Sequence, residues 1–164
     1  MPIDLTEKSV QELNNLIDNH RRRQLLKAPL FLEALAEREH RRKNGLEFRK
    51  SLAIIQLAAR DQKCVSYKQL ADASGAKWNK VHYAMNRHLW DLVSWADGHG
   101  WPMLSAVVVN QENIESKQMK EGTLKGFVAA AENLGRTDIG DDHVAFLSAE
   151  QRRVFAWAKE QPHL

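Results

Sequence analysis

From Glu47 onward the apolar residues of this 164-residue chain change period in a fixed order, and that order narrows the possible folds more than any other feature. Phe48, Leu52, Ile55 and Ala59 recur at three- and four-residue spacing, which predicts a helix over 47–60. Val65-Ser66-Tyr67 is a short extended entry, with Ser66 placed to cap a brief helix from Tyr67 to Ala73 that stops at Gly75. A long helix follows from about Lys77 to Ala96 and ends in the glycines at 98 and 100. Pro102 then leads into Met103-Leu104-Ser105-Ala106-Val107-Val108-Val109, the strongest strand signal in the chain. Residues 110–126 are polar and contain Gly122 and Gly126, so they read as a loop or hairpin before a short helix from Phe127 to Leu134.

Helical signals flank this series. Asp4 and Glu7 bracket the start of an amphipathic helix over 5–26, in which Leu5, Val10, Leu13, Leu16 and Ile17 share a face. Pro29 opens a second helix, about 29–43, that stops at Asn44-Gly45. Ser148 caps a last helix through Lys159. The reading is therefore three units: a helical hairpin over 1–45, a core over 46–135, and a linker with a helix over 136–164 that packs on the core. The class is mainly α with minor β. Helix, short helix, turn, longer helix, strand and loop is the order of a winged helix, with a small β wing.

Composition removes several classes of function. A single cysteine, Cys64, permits neither an intramolecular disulfide nor a cysteine-based zinc site. The first residues lack a basic and an apolar leader region, and no apolar run approaches the roughly 18 residues of a membrane span, so a cytoplasmic protein with no membrane partner is expected. The net charge of +3 is mild, but its distribution is uneven. Lys and Arg exceed Asp and Glu by eleven to eight over 1–50 and by six to four over 51–110; the balance reverses to seven against nine over 111–164.

The long helix is the candidate recognition element. On a wheel of about 100° per residue, Val81, Ala84, Met85, Leu89, Leu92 and Ala96 fall on one side, with Trp78 and His88 at its edges. Asn79, Lys80, Tyr83, Asn86, Arg87, Trp90 and Ser94 fall on the other. No acid occurs from Ala73 through Trp90. Cations for phosphate, amides for base edges and aromatics for stacking are what a groove-facing helix uses. The competing reading is an ordinary solvated face that lacks acids by chance. Arg21-Arg22-Arg23 and Arg38 with Arg41-Arg42-Lys43 lie near the ends of the first two helices, where they suit either a polyanion or simply the helix dipole. The candidate nucleic-acid-binding set is Tyr67, Lys77, Asn79, Lys80, Tyr83, Asn86, Arg87 and Trp90, together with Arg21, Arg22, Arg41 and Arg42 on phosphates.

The run Val65-Ser66-Tyr67-Lys68-Gln69-Leu70-Ala71, then Gly75, a helix, Pro102 and Val107-Val108-Val109-Asn110, resembles the C-terminal module of DNA alkylguanine alkyltransferases. It is more similar to their cysteine-less alkyltransferase-like relatives. The resemblance covers about residues 47–110 and implies a winged helix that contacts DNA through the minor groove. It implies that Tyr67 matches the tyrosine facing the backbone of a flipped nucleotide, and that Lys80 falls near the arginine finger. Met103-Leu104-Ser105 stands where the family has its acceptor cysteine or tryptophan with His-Arg, so alkyl transfer by a thiolate is excluded. The segment from Trp90 to Trp101 is also longer than the family's connection.

Other chemistry is sparse. His88 reads as a hydrogen-bonded core histidine; Asp97 and His99 read as a helix-ending turn that a metal or an oriented imidazole also fits. Asp138, Asp141, Asp142 and His143 cluster in sequence without the alternating spacing of a calcium loop. Neither a cofactor nor a metal site is expected. The favoured function is non-enzymatic binding of nucleic acid, double-stranded DNA over RNA. The alternatives are a protein-interaction or adaptor domain, meeting a partner or a second copy through Trp90 and the hairpin, and, last, a small nuclease or hydrolase using His99 or the Asp141–His143 run.

Overall fold

A computed structural model describes residues 3–41 and 45–162. Among them are seven α-helices and one two-stranded sheet, so the chain is mainly α with minor β. Helix α1 (Val10–Arg22) starts later than Asp4 suggests. Ser9 Oγ accepts from the Glu12 N–H at 3.1 Å and Glu12 Oε2 accepts from the Ser9 N–H at 2.7 Å, so two end donors are satisfied reciprocally. Asp4 instead closes a turn with Thr6. Helix α2 is Pro29–Arg41. The stop expected at Asn44 lies outside the described residues, and Gly45 takes a φ of +90°.

α1 and α2 pack antiparallel around their own small core of Leu5, Leu13, Ile17, Phe31, Ala34 and Leu35. Arg41 fastens the preceding segment across this hairpin by donating to the carbonyls of Leu5, Thr6 and Lys8.

The larger core collects α3 (Phe48–Arg60), β1 (Val65–Ser66), α4 (Tyr67–Ala73), α5 (Trp78–Gly98), β2 (Val108–Val109), α6 (Glu121–Asn133) and α7 (His143–Glu160). Ser66 caps α4 in a reciprocal box with Gln69, and Gly75 ends the turn with φ +72°. The hairpin and the larger core meet along α2 and α5. At Gly98 the approach is so close that an added Cβ would collide with Leu32 and the Leu26 carbonyl.

The segment expected as strand and wing folds differently. Residues Leu104–Val107 form a 3₁₀ turn, and only Val108 and Val109 pair, parallel to β1, with Val65 opposite Val108 and Ser66 opposite Val109. The run is buried almost throughout, and a continuous apolar stretch carries no period that separates strand from buried turn. Residues 110–120 make a second short 3₁₀ turn (Gln111–Asn113) and a loop through Lys117 at φ +58°; among the described residues no antiparallel wing hairpin forms. Helix α6 begins six residues before Phe127 despite Gly122 and Gly126. Helix α7 begins at His143, where Asp142 Oδ1 accepts from the Ala145 N–H at 3.0 Å; Ser148 lies inside the helix rather than at its cap. Phe146, Leu147, Val154, Trp157 and Ala158 of α7 complete the larger core.

Candidate nucleic-acid interface

Helix α5 is divided along its length. Val81, Met85, Leu89, Leu92 and Ala96 are buried, as their spacing requires. On the opposite side, Lys77, Asn79, Lys80, His82, Tyr83, Asn86 and Arg87 are exposed, with Tyr83 at 74% and Trp78 at 37% of full accessibility. From Trp90 onward the hairpin closes over the side that is open in the first half, while the other side stays on the larger core. Trp90 is half-buried, and Asp91, Val93 and Ser94 are sealed from solvent. Ser94 therefore does not share the open face on which the wheel places it. The physical reason is that a wheel treats every turn alike, whereas α2 crosses only the second half.

The open half is electropositive by default. Among the described residues Lys77, Lys80 and Arg87 have no ion-pair partner, and Asp91, the acid that ends the gap, is buried against Arg38 at 2.8 Å and Arg21 at 3.3 Å. The hairpin cations divide. Arg22 is exposed at the end of α1. Arg21 is committed to Asp91 and lies over the Trp90 ring at 5.8 Å from its centroid. Arg41 is committed to Glu37 at 2.5 Å and to backbone carbonyls, and so is not available to phosphates without breaking the hairpin. Arg42 lies outside the described residues.

Two cations escaped the sequence reading. Arg49 and Lys50, exposed in the first turn of α3, flank the turn into α5, because the Glu47 N–H donates to Ser74 Oγ at 3.1 Å. Both lie off the apolar face of α3, and nothing local shows that this end abuts α5.

Tyr67 is not on the open face. It lines a cleft of about 540 Å³ between α5 and α6 with Asn86, Trp90, Ser105, Thr123 and Asn133. Its phenol is pushed up by burial, an effect opposed by a hydrogen bond with Thr123. No charged side chain lines this cleft. Asn86 and Trp90 are shared between its wall and the flank of α5.

The most chemistry-like constellation is one that sequence reasoning missed. His88 Nδ1 lies 2.6 Å from Glu39 Oε1, and His88 Nε2 lies 2.8 Å from Ser51 Oγ. With Nδ1–H donating to the carboxylate, Nε2 accepts from the hydroxyl, the order of a hydrolytic triad. Ser51 and His88 are nonetheless at 0% exposure, and Ser51 sits within α3 rather than on a sharp turn that would present it. The relay therefore joins α2, α3 and α5 as a buried polar clamp. The expected core histidine is found, but with partners 49 and 37 residues away that spacing did not show.

Cys64 is buried, and burial pushes its thiol up to about 11, so it holds no thiolate at neutral pH. His99 is exposed; its Nδ1 meets the Trp95 carbonyl at 2.9 Å and its ring packs on Trp95 and Trp101. His143 starts α7. Among the described residues no group of three His, Cys, Asp or Glu side chains is arranged to hold a metal ion, and no helix is long and apolar enough to cross a membrane.

Comparison with protein-family profiles, curated proteins and solved structures returned no match. The class is the one the elements themselves define, a mainly α chain with a minimal parallel β pair and a half-exposed, acid-free helix face.

Proposed function

We propose that this chain is a non-enzymatic nucleic-acid-binding protein that sets the first half of α5 against double-stranded DNA. One observation carries the reading: Lys77, Asn79, Lys80, Tyr83, Asn86 and Arg87 are solvent-exposed along a stretch of helix that holds no acid, and the three cations have no ion-pair partner among the described residues. The open stretch from Trp78 to Trp90 spans about 18 Å at 1.5 Å per residue, enough to cross a major groove about 12 Å wide. DNA is favoured over RNA because the deep, narrow major groove of A-form duplex does not admit a helix. This reading assigns exposed Arg22, Arg49 and Lys50 to phosphate contacts. Cytoplasmic residence belongs to the same reading, since a lone buried cysteine suits a reducing compartment.

Two competing readings are less favoured by the geometry. An adaptor surface centred on Trp90 shares that indole with Arg21, which lies over its ring. A hydrolase using His99 finds that imidazole engaged with backbone and indole rings.

The test is fluorescence anisotropy with duplex and single-stranded oligonucleotides at two salt concentrations. Duplex affinity is expected to fall steeply with salt, by counterion release, and Lys80→Ala with Arg87→Ala is expected to weaken it well beyond about tenfold. Unchanged affinity in the double variant rejects this docking.

A further inference from the structure

The cleft between α5 and α6 differs in kind from the other cavities. Three others, of about 380, 530 and 500 Å³, each mix cations and acids on their walls. This one, of about 540 Å³, has no charged side chain on its lining and falls in the size range of small-molecule sites. The buried part of its lining is apolar and belongs to the larger core: Leu89 and Val93 of α5 and Phe127 of α6. Half-buried Tyr67 and Trp90 bring two more rings to the walls.

The polar groups on this cleft are open rather than spent. Among the described residues the side chains of Asn86, Ser105 and Asn133 make no hydrogen bond within the fold. Asn86 and Asn133 are exposed and Ser105 is half-buried, so none of the three is sealed from solvent. They come from α5, the 3₁₀ turn Leu104–Val107 and α6, and meet only because those elements pack around one space. A carboxamide offers both donors and an acceptor, and a hydroxyl offers one donor with acceptor lone pairs. Burial pushes the Tyr67 phenol up, so it stays neutral and keeps its proton. A charged ligand here would lose hydration and meet no counter-charge on the walls. A neutral ring finds aromatic partners, and its polar edge finds unspent donors and acceptors.

We propose that this cleft binds a small uncharged aromatic carrying an amide-like donor–acceptor edge, and that its occupancy opposes nucleic-acid binding. The ring lies among Tyr67, Trp90 and Phe127, and the edge meets Asn86, Ser105 and Asn133. Asn86 and Trp90 also stand on the flank of α5, so a ligand that holds them withdraws them from a duplex. By linkage the duplex weakens the ligand by the same factor. The opposition rests on the nucleic-acid reading; the site itself does not.

The probe is indole-3-acetamide, titrated into the full chain by calorimetry, with indole-3-acetate and tryptamine as anionic and cationic controls on the same ring. Saturable binding is expected for the amide, with both charged analogues weaker by about tenfold or more. Gly122 and Gly126 border the cleft, and a Cβ at either meets nothing within 4 Å. Gly126→Leu and, independently, Gly122→Leu are therefore expected to keep the fold by circular dichroism while filling the cleft and abolishing binding. Asn133→Ala is expected to weaken binding several-fold. At saturating amide, duplex affinity by anisotropy is expected to fall about fivefold or more. The site is overturned by no saturation below roughly 10 mM, by equal binding of either charged analogue, or by wild-type affinity in a folded cleft-filling variant. Salt-dependent duplex binding that saturating amide leaves unchanged overturns the opposition alone. Absence of any duplex binding overturns the nucleic-acid reading and the opposition with it, and the calorimetry still decides the site.

Discussion

Arg38 Nη2 donates to Asp91 Oδ1 at 2.8 Å with the two side chains only 3% and 1% exposed, and this pair decides how the hairpin sits on α5. The two hydrophobic cores are separate clusters that meet at Trp95, so the seam between them is largely polar. Arg38 also donates to Asn14 Oδ1 at 3.2 Å, and Glu39, the next residue, clamps His88. A charge left alone in such a seam is expensive, by about 3–5 kcal/mol. Asp91→Leu is therefore expected to lower unfolding free energy by that amount in urea denaturation. Arg38→Leu combined with Asp91→Leu is expected to lose less than the single change. Equal stability of Asp91→Leu and the wild type rejects the seam as a determinant of docking.

Arg21 and Arg87 are expected to separate cleanly. Arg21→Ala uncovers Trp90 and weakens the hold on Asp91, costing about 1 kcal/mol of stability with duplex affinity changed far less than by Lys80→Ala with Arg87→Ala. Thermal melts and anisotropy on the same samples check this. A large affinity loss in Arg21→Ala with an unchanged melt assigns Arg21 to the interface instead.

Gly126 lies in α6 with nothing within 4 Å of the position a Cβ would take, and its φ is not left-handed. Gly126→Ala is expected to stabilise the protein by about 1 kcal/mol, through helix propensity and a less flexible unfolded chain. Destabilisation on the same substitution shows that the cleft wall is more tightly packed than its geometry indicates.

Cys64 is expected to resist alkylation by iodoacetamide in the native state throughout the neutral range, since burial holds its thiol near 11. Reaction becomes fast on unfolding in denaturant, where the thiol regains an ordinary value. Rapid native labelling at neutral pH, followed by mass spectrometry, contradicts the burial.

Half-buried Asp97, in the last turn of α5, gives the protein a pH signature. A carboxyl held above its ordinary value binds its proton more readily in the folded than in the unfolded state. Stability from this group is then lost as pH rises from the ordinary carboxylate range through the raised value. The gap in melting temperature between Asp97→Asn and wild type is expected to be smallest in acid and to widen across that rise. A gap independent of pH removes the charge of Asp97 as its cause.

The sequence alone determined what depends on neighbours within one or two turns. The apolar period of 47–60 and 77–96, the Ser66 cap, Pro29 at a helix start and the glycine turn at 75 are all local, and the elements they specify are present to within two residues at their ends. The mainly α class with minor β followed from them. The open face of α5 was legible only as far as Trp90, because solvation of a face depends on which other helix crosses it. Tertiary structure alone decided that Arg21 and Arg41 serve the hairpin, that Ser94 is covered and that Glu39 and Ser51 close on His88. It also made Val107-Val108-Val109 a buried turn and a two-residue parallel strand rather than one arm of a wing. Each of these is a pairing across tens of residues, where the energy lies in desolvation and partner geometry that no local pattern encodes.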